Sequence, residues 1–420
     1  MKTIIAIFRD SVLRKRVLFV IGILIITRIL SVVPIPGVET QNLASFLQSG
    51  FGSFLNIFSG GGLASFSIVM LGVGPYITAS IIMQLMTVLS PRLKEMNQEE
   101  GNNGRRRFVQ YGRLLTLPFA ILQGIALITL FERQQIISEL TPVLLAQNVL
   151  IVTAGTMLMM WLGEQINERG VGNGVSLIIF AGIVATLPQA IAQYLVTFNV
   201  AQIPTLVGLV VLVLVVIAGI VYITEAERPV PTTYARQARL GAAPALGGGS
   251  SYIPLRLNQA GVVPIIFAVS MLLFPQLIGQ LLSTSANPSL QAFARTINDG
   301  LANQWIYGVV YFLLIVGFTY YYTAIMFDPS KVADNLQKNG AFIPGYRPGV
   351  ATADYIATIL ARVTLFGALF LGVVAVLPLI VKGITGIAAI AVGGTSLLIA
   401  VSVVLDLIKK IDAQLSMREY

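Results

Sequence analysis

The sequence predicts an all-α integral membrane protein with ten membrane-spanning helices. Hydrophobic residues make up 56% of the 420 residues and charged residues only 11%, and the mean hydropathy is +0.83. About ten long segments are apolar all round, whereas most helices of a soluble protein carry a polar face. No polar stretch is long enough for a second domain, so we interpret residues 1–420 as a single membrane domain.

The predicted spans form two groups of five, which cover 17–196 and 203–407. In order they are 17–33, 75–90, 112–131, 143–163, 174–196, 203–223, 260–282, 304–327, 356–381 and 384–407. Because each group holds an odd number of spans, the two halves would lie in opposite orientations, as in inverted-repeat membrane proteins. No residue-level repeat accompanies this arrangement, which depends on the count alone.

The basic residues predict which side of the membrane is cytoplasmic. Lysine and arginine are concentrated before the first span, in 92–113, in two long loops at 227–259 and 328–354, and at the C-terminus. The opposite side offers only Arg133, Arg295 and Lys382, with Arg28 near the far end of the first span. Since cytoplasmic loops are enriched in lysine and arginine, both termini are predicted to be cytoplasmic.

The segment 45–70 is apolar but is too short to cross a membrane. The consecutive glycines at 60–62 interrupt it, and each glycine costs a helix up to about 1 kcal/mol relative to alanine. Neither half reaches the roughly twenty apolar residues that a span requires. Because unpaired backbone groups cannot face lipid, the segment is predicted to dip into a protein-lined cavity or to lie at the interface. An ordinary external loop is the alternative.

The composition argues against an enzyme. The chain has no cysteine and no histidine, so disulfides, thiolate metal sites and imidazole chemistry are excluded, and we predict neither a cofactor nor a metal. It has no phosphate-binding GxxxxGK[ST] loop. The acidic residues lie almost wholly at span ends or in loops, whereas ion-coupled transporters keep an ionisable group near the midplane.

Glycine or proline breaks occur at or near the beginning of four spans, at 72–75, 170–174, 261–264 and 393–395. After three of them, branched apolar residues repeat with a spacing of four, which places both members on one helix face. The pairs are Val73 with Ile77, Val175 with Ile179, and Val262 with Ile266. This pattern is compatible with residues that line a pore and equally with ordinary packing of helices against small residues.

Motifs throughout the chain resemble the SecY family, the channel subunit of the bacterial protein translocon. They are PIPG at 34–37, NIFSGG at 56–61, GPYITASII at 74–82, GRRR at 104–107, WLGEQI at 161–166 with ERGVGNG at 168–174, NQAGVVP at 258–264, ADNL at 333–336, GAFIPG at 340–345 and GGTSLLI at 393–399. They occur in the family's order from the first span to the last, so the resemblance covers essentially the whole chain.

The resemblance implies an hourglass channel of ten helices in two inverted five-helix halves that are hinged like a clamshell. A ring of apolar side chains would form its waist. The matching residues are Val73, Ile77, Val175, Ile179, Ile266 and Ile399. Such a collar closes around a passing chain and excludes ions by dewetting when it is empty. It offers no hydrogen bonds, which suits a conduit that accepts many polypeptide sequences.

The resemblance also gives the segment 45–70 a role as the family's plug, a short re-entrant helix that blocks the external funnel. We place the plug at about 51–67. Its predicted residues are Phe54, Leu55, Ile57, Phe58, Gly60, Gly61, Gly62, Leu63 and Phe66.

A lateral gate into lipid is implied between the helices that start near Pro75 and Ala260. Apolar signal sequences and transmembrane segments of the nascent polypeptide would leave the channel there. We place Thr78, Gln84 and Gln123 near this gate, where polar groups would keep the closed state only marginally favoured.

The two long cytoplasmic loops would correspond to the docking site for the motor SecA or the translating ribosome. Arg347 matches the family's key arginine, and Arg236 and Arg239 are predicted to contact ribosomal RNA phosphates or acidic surface of the motor. The stretch 240–249 lacks the family's dense basic tip. Topology signals or lipid-headgroup contacts are the alternative interpretation of these charges.

We therefore predict a passive protein-conducting channel in the bacterial inner membrane, powered by partners and accompanied by the small subunits SecE and SecG. A secondary transporter of small solutes is the alternative from a different class. The lack of midplane charges argues against it. An insertase without an aqueous pore is a further alternative, and it would need no apolar ring.

Overall fold

A computed structural model describes residues 10–36, 56, 59, 61–98, 101–133, 136–137, 141–196, 203–234, 251–282, 287–385 and 393–419. The helices are α1 (Ser11–Leu30), α2 (Gly74–Leu89), α3 (Pro91–Gln98), α4 (Gly101–Arg133), α5 (Pro142–Arg169), α6 (Gly174–Val196), α7 (Ile203–Glu225), α8 (Val263–Leu282), α9 (Pro288–Ala302), α10 (Gln304–Met326), α11 (Pro329–Lys338), α12 (Val350–Thr385) and α13 (Gly393–Glu419). A small sheet of three strands is the only other regular structure in these ranges, so the all-α prediction is correct for the membrane domain.

Each of the ten predicted spans coincides with a helix of its own, but several boundaries differ. The helix α4 begins at Gly101 instead of 112, and α12 covers Val350–Thr385 instead of 356–381. The last span was placed too early, because α13 begins at Gly393 and not at 384. Hydropathy marks the apolar part of a helix, whereas backbone hydrogen bonding continues into polar flanks.

Within the described residues, four helical stretches are long and apolar enough to cross a membrane. They are Asn103–Glu132, Pro142–Arg169, Gln304–Lys338 (which comprises α10 and α11) and Val350–Val381. Shorter apolar helical stretches occur at Gly74–Leu89, Gly174–Pro188, Val210–Glu225 and Val263–Leu272. A multi-pass membrane protein follows from these stretches, and the count of ten spans stays a prediction.

Local capping explains why several helices begin where they do. Asp10 Oδ1 accepts a hydrogen bond from the Val12 amide at 2.8 Å at the start of α1. Asn303 does the same for the Trp305 amide of α10 at 3.0 Å. A polar cap satisfies amides that have no partner within the helix.

The two long loops at 227–259 and 328–354 contribute the strands of one sheet. The strands are β1 (Glu227–Tyr234), β2 (Ser251–Arg256) and β3 (Ala341–Phe342), in the order β2-β1-β3. The pairing is antiparallel, with Val230 opposite Ile253 and Thr233 opposite Phe342. The two loops that the sequence presents as separate are therefore hydrogen-bonded to each other.

Four apolar clusters of buried residues occur in the described part of the chain, and three of them hold at least six buried residues each. The largest takes residues from α1, α2, α5–α8, α10, α12 and α13, so it spans both predicted halves of the chain. The second packs 63–70 against α4 and α5. The third lies under the sheet, where Val230, Leu255 and Ile343 contact the first half of α12.

Candidate functional site

The six predicted ring residues lie together in the largest apolar cluster. They are Val73, Ile77, Val175, Ile179, Ile266 and Ile399. Five of them are at most 7% exposed, and Val175 is partly buried against the cluster. They are carried by α2 and the residue before it, by α6, by α8 and by α13. Four separate parts of the chain thus deliver branched aliphatic side chains to one place.

Glycines with a left-handed backbone precede three of these helices. Gly72 has φ 54° before α2, Gly172 has φ 99° before α6, and Gly261 has φ 62° before α8. Glycine adopts this conformation without steric cost. The first helical turn begins directly after each glycine. The Ile77 amide donates to the Val73 carbonyl at 3.0 Å, and the Ile266 amide donates to the Val262 carbonyl at 3.2 Å. These turns fix the positions of Ile77 and Ile266 on their helices.

A close approach of two backbones fixes the position of α6. A Cβ at Gly174, the first residue of α6, would collide with the carbonyl oxygen of Gly163 on α5. The Gly174 amide donates to Asn167 Oδ1 at 2.8 Å. The absence of a side chain at Gly174 lets α6 begin directly against α5. The helix α6 then carries Ile179 into the cluster, where it is fully buried.

Two of the three predicted gate residues contact each other. Gln123 Nε2 on α4 donates a long hydrogen bond of 3.4 Å to Thr78 Oγ1 on α2. Thr78 is buried. The helix α8 packs against both α2 and α4, so this polar pair lies on the helices that α8 contacts from the other half of the chain.

Gln84, the third predicted gate residue, contacts α10 through its backbone carbonyl. Its carbonyl oxygen accepts hydrogen bonds from Thr87 Oγ1 at 2.6 Å and from the hydroxyl of Tyr321 at 3.0 Å. Its side-chain Oε1 is buried and has no hydrogen-bond partner among the described residues. Tyr321 is not among the predicted gate residues, because its only local signal is a run of three tyrosines in an otherwise apolar helix.

In the described part of the predicted plug, Asn56 is helical, and residues 61–66 form a series of tight turns instead of a continuous helix. Gly61, Gly62, Leu63 and Phe66 lie in it, and the other predicted plug residues, Phe54, Leu55, Ile57, Phe58 and Gly60, lie outside the described residues. Leu63 and Phe66 are buried in the second cluster. The rings of Phe66 and Phe131 meet edge to face with centroids 4.8 Å apart.

Backbone hydrogen bonds connect this segment to the end of α1. The Ile35 amide donates to the Phe66 carbonyl at 2.8 Å, and the Ile68 amide donates to the Val33 carbonyl at 2.9 Å. Phe66 itself has φ 47°, a strained value for a residue other than glycine. A Cβ at Gly155 on α5 would collide with the Ile68 carbonyl oxygen. The C-terminal end of the predicted plug is therefore held between α1 and α5.

The predicted docking arginine lies at the tip of a compact turn after β3. Gly345 and Gly349 on either side of Arg347 have φ 88° and 99°. The Arg347 carbonyl accepts from Thr352 Oγ1 at 2.8 Å, and the side chain is exposed. The preceding Tyr346 stacks on another tyrosine ring at 3.9 Å. The turn holds Arg347 outward, whereas Arg236 and Arg239 lie outside the described residues.

One ion pair joins α4 and α5. Arg113 Nε and Glu164 Oε1 are 2.5 Å apart, and the Glu164 side chain is 11% exposed against 40% for Arg113. A buried charge needs such a partner. Among the described residues no three histidines, cysteines or acidic residues come together as metal ligands would.

Comparisons with known sequences relate the chain to one family over nearly its whole length. The sequence model of the SecY family matches residues 67–408. The chain is 40% identical to the protein translocase subunit SecY of Corynebacterium glutamicum, covering 100% of this chain and 99% of that protein. It is 41% identical to the SecY of Halalkalibacterium halodurans, covering 100% and 98%.

Solved structures share the fold at lower identity. One, described as showing that the plug domain of SecY stabilises the closed translocation channel, has a TM-score of 0.65 at 18% identity and covers 95% of this chain and 92% of its own. Sec61 in the canine ribosome-channel complex gives a TM-score of 0.63 at 18% identity, with the same coverage.

Proposed function

This chain belongs to the SecY family and is the channel-forming subunit of a protein translocase, and we propose that unfolded polypeptides pass through it at the ring of six apolar residues. The observation that carries the proposal is the convergence of Val73, Ile77, Val175, Ile179, Ile266 and Ile399 in one cluster that draws on both halves of the chain. Ten spanning helices, α1, α2, α4–α8, α10, α12 and α13, would surround it.

The chemistry of the ring suits a passive conduit. Its side chains are branched aliphatics that make no hydrogen bonds, so they cannot prefer one polar sequence over another. An empty constriction of this kind blocks ions by dewetting. The work of moving the polypeptide would come from a partner, either the motor SecA or the translating ribosome, and the small subunits SecE and SecG would complete the complex.

The plug and the gate complete the proposal. Residues at about 51–67 would block the external funnel, and the contacts of 63–70 with α4 and α5 support a position against the N-terminal half. The gate would open where α8 and α10 meet α2 and α4, near Thr78, Gln84 and Gln123. An apolar signal sequence or transmembrane segment would leave there for the lipid bilayer.

Docking and orientation follow from the charges. Arg347 at its rigid turn, with Arg236 and Arg239 of the earlier loop, would contact acidic surface of SecA or ribosomal RNA phosphates. Lys409 Nζ near the end of α13 lies 2.8 Å from Glu225 Oε1 at the end of α7. This ion pair supports a shared side for the C-terminus and the sheet loops, which would be the cytoplasmic side of the bacterial inner membrane.

Site-specific crosslinking tests the path of the polypeptide. The chain lacks cysteine, so single cysteines at Ile77, Ile179 and Ile266 make every crosslink to a stalled secretory chain attributable. Val211→Cys is the matched control, because Val211 lies on α7 and is 54% exposed. Crosslinks from the three ring sites but not from Val211 are expected. If the ring sites give none while the stalled substrate is engaged, the pore is elsewhere.

A further inference from the structure

A single hydrogen bond connects the backbone of α2 to the side of α10. The hydroxyl of Tyr321 donates to the carbonyl oxygen of Gln84 at 3.0 Å, across 237 residues of sequence. The two helices belong to different halves of the chain. The bond therefore crosses the boundary at which the proposed lateral gate would open. We call this boundary, with α2 and α4 on one side and α8 and α10 on the other, the gate seam.

The aromatic ring contacts described for the Tyr321 region lie within the C-terminal half. Phe267 on α8 meets Phe318 and Tyr322 of α10 edge to face, with ring centroids 5.9 and 6.0 Å apart. Phe318 also meets Tyr321 edge to face at 6.5 Å. Aromatic pairs of this kind hold α8 and α10 together as a unit. If this unit moves away from α2, the aromatic contacts persist and the bond to Gln84 breaks.

We propose that the Tyr321 hydroxyl is a latch on the gate seam that sets how apolar a segment must be to open the lateral gate. The inference rests on the proposed gate and deepens it by naming a residue that determines substrate selection. An interhelical hydrogen bond in apolar surroundings changes an equilibrium constant, here that between the closed and the open gate, by only about threefold. A latch of this strength shifts a threshold without locking the gate.

Of the two hydrogen-bond partners, only the tyrosine hydroxyl can be removed by a substitution, because the acceptor is a backbone carbonyl. The Gln84 carbonyl is backbone and also accepts from Thr87 Oγ1, so it keeps a partner when the tyrosine hydroxyl is removed. Tyr321→Phe retains the ring and its contact with Phe318. The substitution thus deletes the bond across the seam while leaving packing and the acceptor largely unchanged.

The neighbouring tyrosine offers a matched control. The Tyr320 hydroxyl also donates to a backbone carbonyl, that of Ala361, at 3.2 Å. Ala361 lies on α12, in the same half as α10. Tyr320→Phe therefore removes a comparable bond that does not cross the gate seam.

The test uses the full chain, purified with the subunits that accompany it, reconstituted into liposomes and supplied with the motor SecA and ATP. The substrates are secretory chains whose signal segments carry an increasing number of leucines in an alanine background. Each leucine shifts membrane insertion by about a factor of two. The measured quantity is the number of leucines that gives half-maximal translocation, together with the melting temperature of each variant.

Tyr321→Phe should lower the threshold by one or two leucines, while Tyr320→Phe keeps the wild-type value and both variants melt alike. Identical thresholds for Tyr321→Phe, Tyr320→Phe and the wild type would overturn the latch while leaving the channel intact. Equal shifts in both variants would also overturn it, because a general loosening of α10 would explain them. A wild-type complex that transports none of the substrates would refute the proposed function, and the latch with it.

Discussion

Removing the Phe66 ring should make the resting channel leak ions. Phe66 is 1% exposed and meets Phe131 of α4 edge to face at 4.8 Å. It therefore anchors the C-terminal end of the proposed plug to the N-terminal half. If the plug closes the funnel, weakening this contact raises the fraction of channels in which the plug is displaced.

The size of the effect follows from burial and backbone geometry. Replacing a packed phenylalanine by alanine costs about 3–5 kcal/mol, and the lower value corresponds to about a hundredfold rise in the displaced fraction. Phe66 also has φ 47°, which costs a residue with a Cβ about 1–2 kcal/mol. Glycine is free of that strain, so Phe66→Gly should leak about fivefold less than Phe66→Ala.

The measurement is ion efflux from liposomes that contain the resting complex without substrate. The order of leak rates should be wild type, then Phe66→Gly, then Phe66→Ala. Glycine is usually the more disruptive substitution in a structured segment, so this order is specific to the left-handed backbone at Phe66. A folded Phe66→Ala complex that is as tight as the wild type would refute the plug contact, and a glycine variant that leaks more than the alanine variant would refute the strain argument.

Three further predictions concern the docking arginine, a close contact of the plug segment and the ion pair between α4 and α5. Arg347→Ala should reduce partner-driven translocation roughly tenfold, the typical cost of an arginine interface anchor, without changing the melting temperature, since the side chain is exposed. Gly155→Ala should destabilise the protein by about 1–3 kcal/mol, because its Cβ would meet a carbonyl of the plug segment; Gly208→Ala, with nothing within 4 Å, should be neutral or stabilising in the same thermal melts. Glu164→Gln should cost at most about 1 kcal/mol in denaturant unfolding, because the Arg113 side chain is 40% exposed and stays partly hydrated after it loses its charged partner, and adding Arg113→Gln should recover part of the loss.

Local sequence patterns located the starts of the helices that carry the proposed ring, for a physical reason. The glycine and proline breaks occur where α2, α6, α8 and α13 begin, since backbone conformation and helix starts are decided within a few residues. The branched residue that follows each break is then carried inward by the first two turns. The grouping of Ile77, Ile179, Ile266 and Ile399 needed no knowledge of tertiary contacts beyond the family resemblance.

Contacts between distant segments were beyond such patterns. The Tyr321 hydroxyl finds its acceptor 237 residues away, and that acceptor is a backbone carbonyl, which no residue type reveals. The strand β3 has only two residues, too few for an alternating pattern to appear. The helix α9 at Pro288–Ala302 was likewise missed, because its mixture of polar and apolar residues is not that of a membrane span.

The small sheet connects the proposed docking loops to the gate seam through hydrogen bonds. Because Thr233 pairs with Phe342, the turn that carries Arg347 and the β1–β2 hairpin form one hydrogen-bonded body. The Leu257 amide closes the base of that hairpin on the Ala226 carbonyl at 2.9 Å, and α8 follows within a few residues. The Leu257 carbonyl also lies so close to α12 that a Cβ at Gly367 would collide with it. A partner that bound Arg347 would therefore act on a hydrogen-bonded unit that is separated by only a few residues from the first turn of α8, the helix that carries Ile266 and packs against α2.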